Sequence, residues 1–155
     1  MPFIEKINKL LEKILILLMS VLVIDVLWQV FSRYILNSPS SFTDELAGYL
    51  LIWVGLLGAA YVSGKKEHLA IDILYQRSNL KTKKVLNIII DIVILLFAIT
   101  VLIIGGIWLS YTRFVLDVKS AALGLQLGYI YLILPISGLL ISYFALDLLL
   151  KNIKK

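Results

Sequence analysis

Asp25, Gln29 and Arg33 recur at i, i+4 and i+8 within an otherwise apolar run, with Trp28 and Ser32 beside them. On a helix that spacing lines the three side chains along one face. An acid in the middle of a lipid-spanning segment is costly, and such residues either carry a function or hydrogen-bond within protein. Two readings follow for Asp25 and Gln29 as intramembrane polar residues. One is a proton or cation site. The other is a hydrogen-bonded acid that fixes helix packing, kept neutral by its surroundings. The sequence offers Asp25 no second mid-membrane acid as a clear partner. Asp91 lies near the start of the third predicted span, and Asp147 lies near the end of the fourth with Lys151 at i+4. A second polar group follows the first span. Ser41 and Asp44 have capping-box spacing, and Asp44 and Glu45 suit the first turn of a helix through its macrodipole. Arg33 stands about one turn inside the preceding helix end, within reach of Asp44 or Glu45 across a short hairpin. Arg33, Asp44, Glu45, His68 and Arg113 are the candidate structural or partner-docking residues.

Other chemistry is missing from the chain. It has no Cys, which excludes disulfides and thiolate sites, and a single His, which excludes a His-rich metal cluster. No phosphate loop, nucleophile with its base or metal-ligand set is visible. The expectation is that the chain is not an enzyme and holds no metal or cofactor of its own.

The elements that position these residues must be membrane helices. Of the 155 residues 61% are apolar and 16% charged, with a mean hydropathy of +0.97. Soluble domains average nearer 45–50% apolar, and a chain this small cannot enclose such an excess. Charge-poor windows predict four spans, at about 14–36, 45–63, 85–111 and 127–149, each near the roughly 20 residues that cross a hydrocarbon core. Helices follow because lipid offers the backbone no hydrogen-bond partners. The runs are too continuous for barrel strands. The fold class is therefore an all-α integral membrane protein, one four-helix domain over residues 1–155. The first apolar run is too long for a cleaved signal peptide and is expected to remain as the first helix.

Twelve of the 15 basic residues fall in the N-terminal segment, the central loop and the tail, and only Arg33, Arg113 and Lys119 lie opposite. The positive-inside rule puts both termini in the cytoplasm. The +5 net charge is thus a topology signal, and nucleic acid is not an expected partner; membrane lipid is. Phe3, Ile7, Leu10, Leu11 and Ile14 make an amphipathic N-terminal segment, which either lies on the membrane surface or simply begins the first helix. Leu69, Ile73 and Leu74 suggest a short interfacial helix in the central loop. Gly55 and Gly58 with Ala59 and Ala60, and Gly105 with Gly106, are candidate helix-packing residues, within the bundle or against another membrane protein. Pro135 is expected to kink the fourth helix. The halves show no inverted repeat and no centrally interrupted span, the usual sign of a carrier's own substrate site.

The ordered runs Arg33-Tyr34, Ser41 to Ala47, Trp53 to Ala60, Glu67 to Asp72 and Ser120 to Tyr129, followed by Pro135 and Gly138, resemble the small, Q-type membrane subunit of TRAP (tripartite ATP-independent periplasmic) transporters. The resemblance covers nearly the whole chain. That family often has Trp where this chain has Phe42, and Pro where it has Gln126. The resemblance implies a bacterial inner-membrane protein paired with a large multi-span subunit that holds the substrate and sodium sites. It also implies a periplasmic binding protein that delivers an organic acid, such as a dicarboxylate or sialic acid. The small subunit would be a scaffold for the carrier and would help to dock the binding protein. The rival reading is a small four-helix proton-coupled exporter using Asp25, although such exporters are shorter and lack the long basic central loop. A purely structural, non-transport membrane protein is the third.

Overall fold

A computed structural model describes residues 2–65 and 80–154. Its elements are α1 (Pro2–Tyr34), α2 (Ser41–Lys65), α3 (Leu80–Phe97), a π-helical stretch (Ala98–Gly105), α4 (Gly106–Val115), α5 (Leu127–Tyr131) and α6 (Ile133–Lys154). The third span runs from α3 through the π-helical stretch to α4, and the fourth joins α5 to α6. Among the described residues four helices are long and apolar enough to cross a membrane. Among the described residues the one β feature is an isolated bridge between Lys119 and Gln126.

The helices extend beyond the predicted span limits because their charged ends can stay helical in water and headgroups. The amphipathic N-terminal segment is not a separate surface element; it is the first part of α1. At 1.5 Å per residue α1 is about 50 Å long, more than a hydrocarbon core needs. Asn37, with φ of 49°, reverses the chain after α1. The expected interfacial helix near Leu69 to Leu74, and His68 beside it, lie outside the described residues.

The fourth span is the centre of the bundle. α6 packs against α2, α3, the π-helical stretch and α4, whereas α1 packs mainly on α2. The burial follows: 44% of the most apolar window is buried in the fourth span, against 11% in the first. The core joins Leu11, Leu57, Ala60, Ala98, Leu102, Ile133, Ile141 and Phe144. In lipid this packing is held by van der Waals contact and close backbone approach rather than by the hydrophobic effect.

Two irregularities have local causes. Pro135 has no N–H to offer the Tyr131 carbonyl, so the regular ladder is interrupted at Leu132, which nonetheless keeps helical dihedrals of −57° and −21°. The Trp53 indole N–H donates to the neighbouring Ile130 carbonyl at 3.1 Å, linking α2 to this interruption. In the third span, β-branched Ile99, Thr100, Val101, Ile103 and Ile104 crowd one another. Thr100 also donates back to the Leu96 carbonyl at 2.7 Å, and the ladder widens to a π-helix across Ala98–Gly105. Sequence periodicity gives no sign of this widening.

Candidate functional site

The polar residues gather at the end of the bundle that the basic residues assign to the periplasm. α2 starts one residue earlier than the capping pattern implied. Ser40 is the cap: its Oγ accepts from Thr43 N–H at 3.4 Å, and Thr43 Oγ1 donates to the Ser40 carbonyl at 3.1 Å. Ser41 and Asp44 therefore do not form the predicted box, and Asp44 faces α1 instead. Its Oδ1 accepts from Gln29 and lies 3.8 Å from Arg33 Nη2. Arg33 meets Asp44, not Glu45. The pair is open to solvent, with side-chain exposures of 51% and 65%. Its coupling in a double-mutant cycle, Arg33→Ala with Asp44→Asn, is expected to stay below about 1 kcal/mol. A coupling of several kcal/mol in chemical denaturation would contradict this.

Glu45 makes the longer connection. Its carboxylate accepts from the Ser120 hydroxyl, from Ala121 N–H and Ala122 N–H at 3.1 Å each, and from Leu123 N–H at 3.4 Å. The loop between the third and fourth spans thus folds over the start of α2 and presents a nest of donors to one acid. The loop is stitched internally as well. Ser120 N–H donates to the Leu125 carbonyl at 2.8 Å, and Leu127 N–H to the Val118 carbonyl at 2.9 Å. Gly124 takes the left-handed turn at φ of 66°. Gln126 donates to Asp117, and Lys119 lies 3.0 Å from the same carboxylate.

The Gln126 hydrogen bond, and then Lys119, hold the Asp117 carboxyl below the usual carboxylate range. A depressed folded value contributes order above the ordinary value and loses it as pH falls through the folded one. Hydrogen exchange in residues 117–126 is therefore expected to quicken below the ordinary Asp range. Exchange that does not change with pH, after correction for its intrinsic rate, would exclude the contribution.

The structure places the other candidates as follows. Asp25 is 7% exposed on α1, and its Oδ2 has no hydrogen-bond partner among the described residues. Gln29 turns toward Asp44, so the stripe serves the α1–α2 hairpin and does not join Asp25 to Arg33. Arg113 is half-buried, with a buried Nε that has no partner among the described residues, beside Phe114, whose ring meets Tyr129 edge-on. At the other end Asn152 Nδ2 donates to Asp91 Oδ2 at 2.8 Å, and Lys151 pairs with Asp147. Of the glycines named from sequence, Gly106 packs: a Cβ there would stand 2.7 Å from Leu134 Cβ. Among the described residues, Gly55 and Gly58 have nothing within 4 Å of that position, and Gly105 meets only the Thr100 carbonyl of its own helix. The close approaches that sequence reading missed are at Gly64, Gly128 and Gly138. No group of three or more His, Cys, Asp or Glu able to hold a metal ion occurs among the described residues.

Four apolar spans tied by polar contacts at both ends define a multi-pass integral membrane protein. Its residues 22–155 match the family model for the tripartite ATP-independent periplasmic transporters, DctQ component, and the chain belongs to that family, the small permease subunits of TRAP transporters of the bacterial inner membrane. It is 32% identical over 147 residues to a Haemophilus influenzae protein described as a TRAP transporter small permease protein, covering 95% of this chain and 89% of that one. It is 25% identical over 141 residues to the sialic acid TRAP transporter small permease protein SiaQ of Vibrio cholerae, covering 91% and 80%. A third relative is the sialic acid TRAP transporter permease protein SiaT of Haemophilus influenzae, 26% identical over 115 residues. That match covers 74% of this chain but only 18% of SiaT, a much longer protein. The family is one of transporter subunits, not of enzymes.

Proposed function

We propose that this chain scaffolds a large carrier subunit in the inner membrane and does not itself carry substrate. The transporter so built takes up an organic acid, with sodium coupling in the large subunit and delivery by a periplasmic binding protein. Two relatives named for sialic acid transport make a sialic acid or similar carboxylate the substrate class of choice. The match to a short part of SiaT supports a large membrane partner. The observation that carries the reading is the helical continuity of the described spans. The third widens and the fourth is interrupted for one residue at Leu132, but neither unwinds to offer half-helix termini or free carbonyls to a substrate and its ion. At the periplasmic end the Glu45-anchored loop, with Arg33 and Asp44 exposed beside it, offers a fixed surface for the binding protein.

Reconstitution tests this. The chain alone is expected to move no organic acid, with or without a sodium gradient. Together with the large subunit and the binding protein it is expected to be required for uptake. Asp25→Asn is expected to leave sodium stoichiometry unchanged. Proton-coupled export by the isolated chain, or an altered ion stoichiometry in Asp25→Asn, would favour the exporter reading instead.

A further inference from the structure

A half-open cavity of about 200 Å³ lies between the N-terminal part of α1, the end of α2 and the last turns of α6. Its apolar wall includes Ile4, Phe144 and Leu148, and its polar wall includes Glu5, Asn8, Ser63 and the Asp147–Lys151 pair. The cavity lies where the charged ends of three helices meet their apolar spans, on the side that carries most of the basic residues. That depth is where lipid headgroups sit. Asn8 supplies the decisive detail. Among the described residues its buried Oδ1 has no donor, and Gly64 of α2 backs directly onto it. A buried acceptor without a donor is costly and calls for one from outside.

We infer that this cavity holds the primary ammonium headgroup of a cytoplasmic-leaflet phospholipid, phosphatidylethanolamine in chemistry. Its three N–H donors satisfy Asn8 Oδ1 and face the carboxylates of Glu5 and Asp147. Two carboxylates against one ammonium make the polar wall favour a cation. Lys151, already paired with Asp147, is placed to meet the lipid phosphate. The acyl chains leave along the partly exposed Ile4 and Leu148 into the bilayer, a path that a small soluble amine would not use. A choline headgroup has the same charge but no N–H, and so cannot serve Asn8. An anionic headgroup without an amine meets Glu5 and Asp147 as like charges.

Native mass spectrometry of the full chain, purified with its membrane partners, tests this with lipids of one acyl composition. The headgroups are ethanolamine, its mono- and dimethyl forms, choline and glycerol. Binding is expected to weaken with each methyl group, about tenfold from ethanolamine to choline, the scale of a hydrogen bond to a charged group. Asn8→Leu, close in size, is expected to flatten the series. Glu5→Gln, at an exposed position, is expected to weaken all amine headgroups without loss of folded protein. Equal binding of ethanolamine and choline lipids by the unaltered chain, or an unchanged preference in both variants, would overturn the proposal. Displacement of the lipid by soluble phosphoethanolamine at equal concentration would overturn the lipid source in favour of a cytosolic amine.

Discussion

Replacing Glu45 with alanine is expected to free the loop between the third and fourth spans. One carboxylate accepts from the Ser120 hydroxyl and from the amides of Ala121, Ala122 and Leu123. Removing it leaves several donors at once without their acceptor, and Ser120 is buried. Losing even one charge-assisted bond of this kind shifts a local opening equilibrium by about tenfold. Hydrogen exchange at residues 121–123 is therefore expected to accelerate by at least about tenfold. Glu45→Gln is expected to fall between, since one amide oxygen still accepts but its NH₂ faces other donors. Ser120→Ala removes one donor to the carboxylate and one of the two acceptors of Leu123 N–H, but leaves Glu45 to the backbone nest, so its effect is expected to be smaller than either. If the loop also forms part of the docking surface, uptake falls with the same ranking while the four spans stay folded. Unchanged protection of these amides in Glu45→Ala would show that the loop is ordered by its internal hairpin alone.

The residues that form this lock were visible in the sequence, but their meeting was not. Arg33 and Asp44 were readable as a pair because they flank a short hairpin, where chain proximity limits the possible partners. Glu45 meets residues 75 to 78 positions away, and no local spacing encodes where a later loop will fold. The helix periodicity of α2 did hold a clue. Asp44 and Glu45 are adjacent and so point in different directions, and once Asp44 faces α1 its neighbour must find another partner. The four spans were legible for a simpler reason. Uninterrupted apolar length is a direct demand of the bilayer. Their internal irregularities were legible only where one residue type forces them. Pro135 announces the break in the hydrogen-bond ladder at Leu132, whereas the π-helical stretch arises from crowding among residues that each tolerate an ordinary helix.

Glycine is the sharpest case of a visible residue with an unreadable role, and it leads to opposite expectations for two positions. Gly138 lies on α6 against the π-helical stretch. A Cβ there would stand 2.8 Å from Leu102 Cβ, 2.9 Å from Ile103 Cγ1 and 3.1 Å from the Ile103 backbone nitrogen. The last of these cannot move as a side-chain tip would, so the two helices must separate. Gly138→Ala is expected to destabilise the chain by about 1–3 kcal/mol, the cost of overpacking a well-filled contact, and Gly138→Leu by more. Gly55, on α2, has nothing among the described residues within 4 Å of the same atom. Gly55→Ala is expected to be neutral for the chain itself, or to stabilise it by up to about 1 kcal/mol through helix propensity. The contrast separates packing within the chain from packing against a partner. Both variants can be assayed first alone, by thermal unfolding in detergent, and then by recovery with the large subunit. If Gly55 and Gly58 mark the face that receives a partner helix, Gly55→Leu leaves the isolated chain stable but abolishes co-purification. Recovery of an intact complex from Gly55→Leu would place the partner on another face. A Gly138→Ala variant as stable as the unaltered chain would mean that α6 and the third span are not held by the close approach seen here.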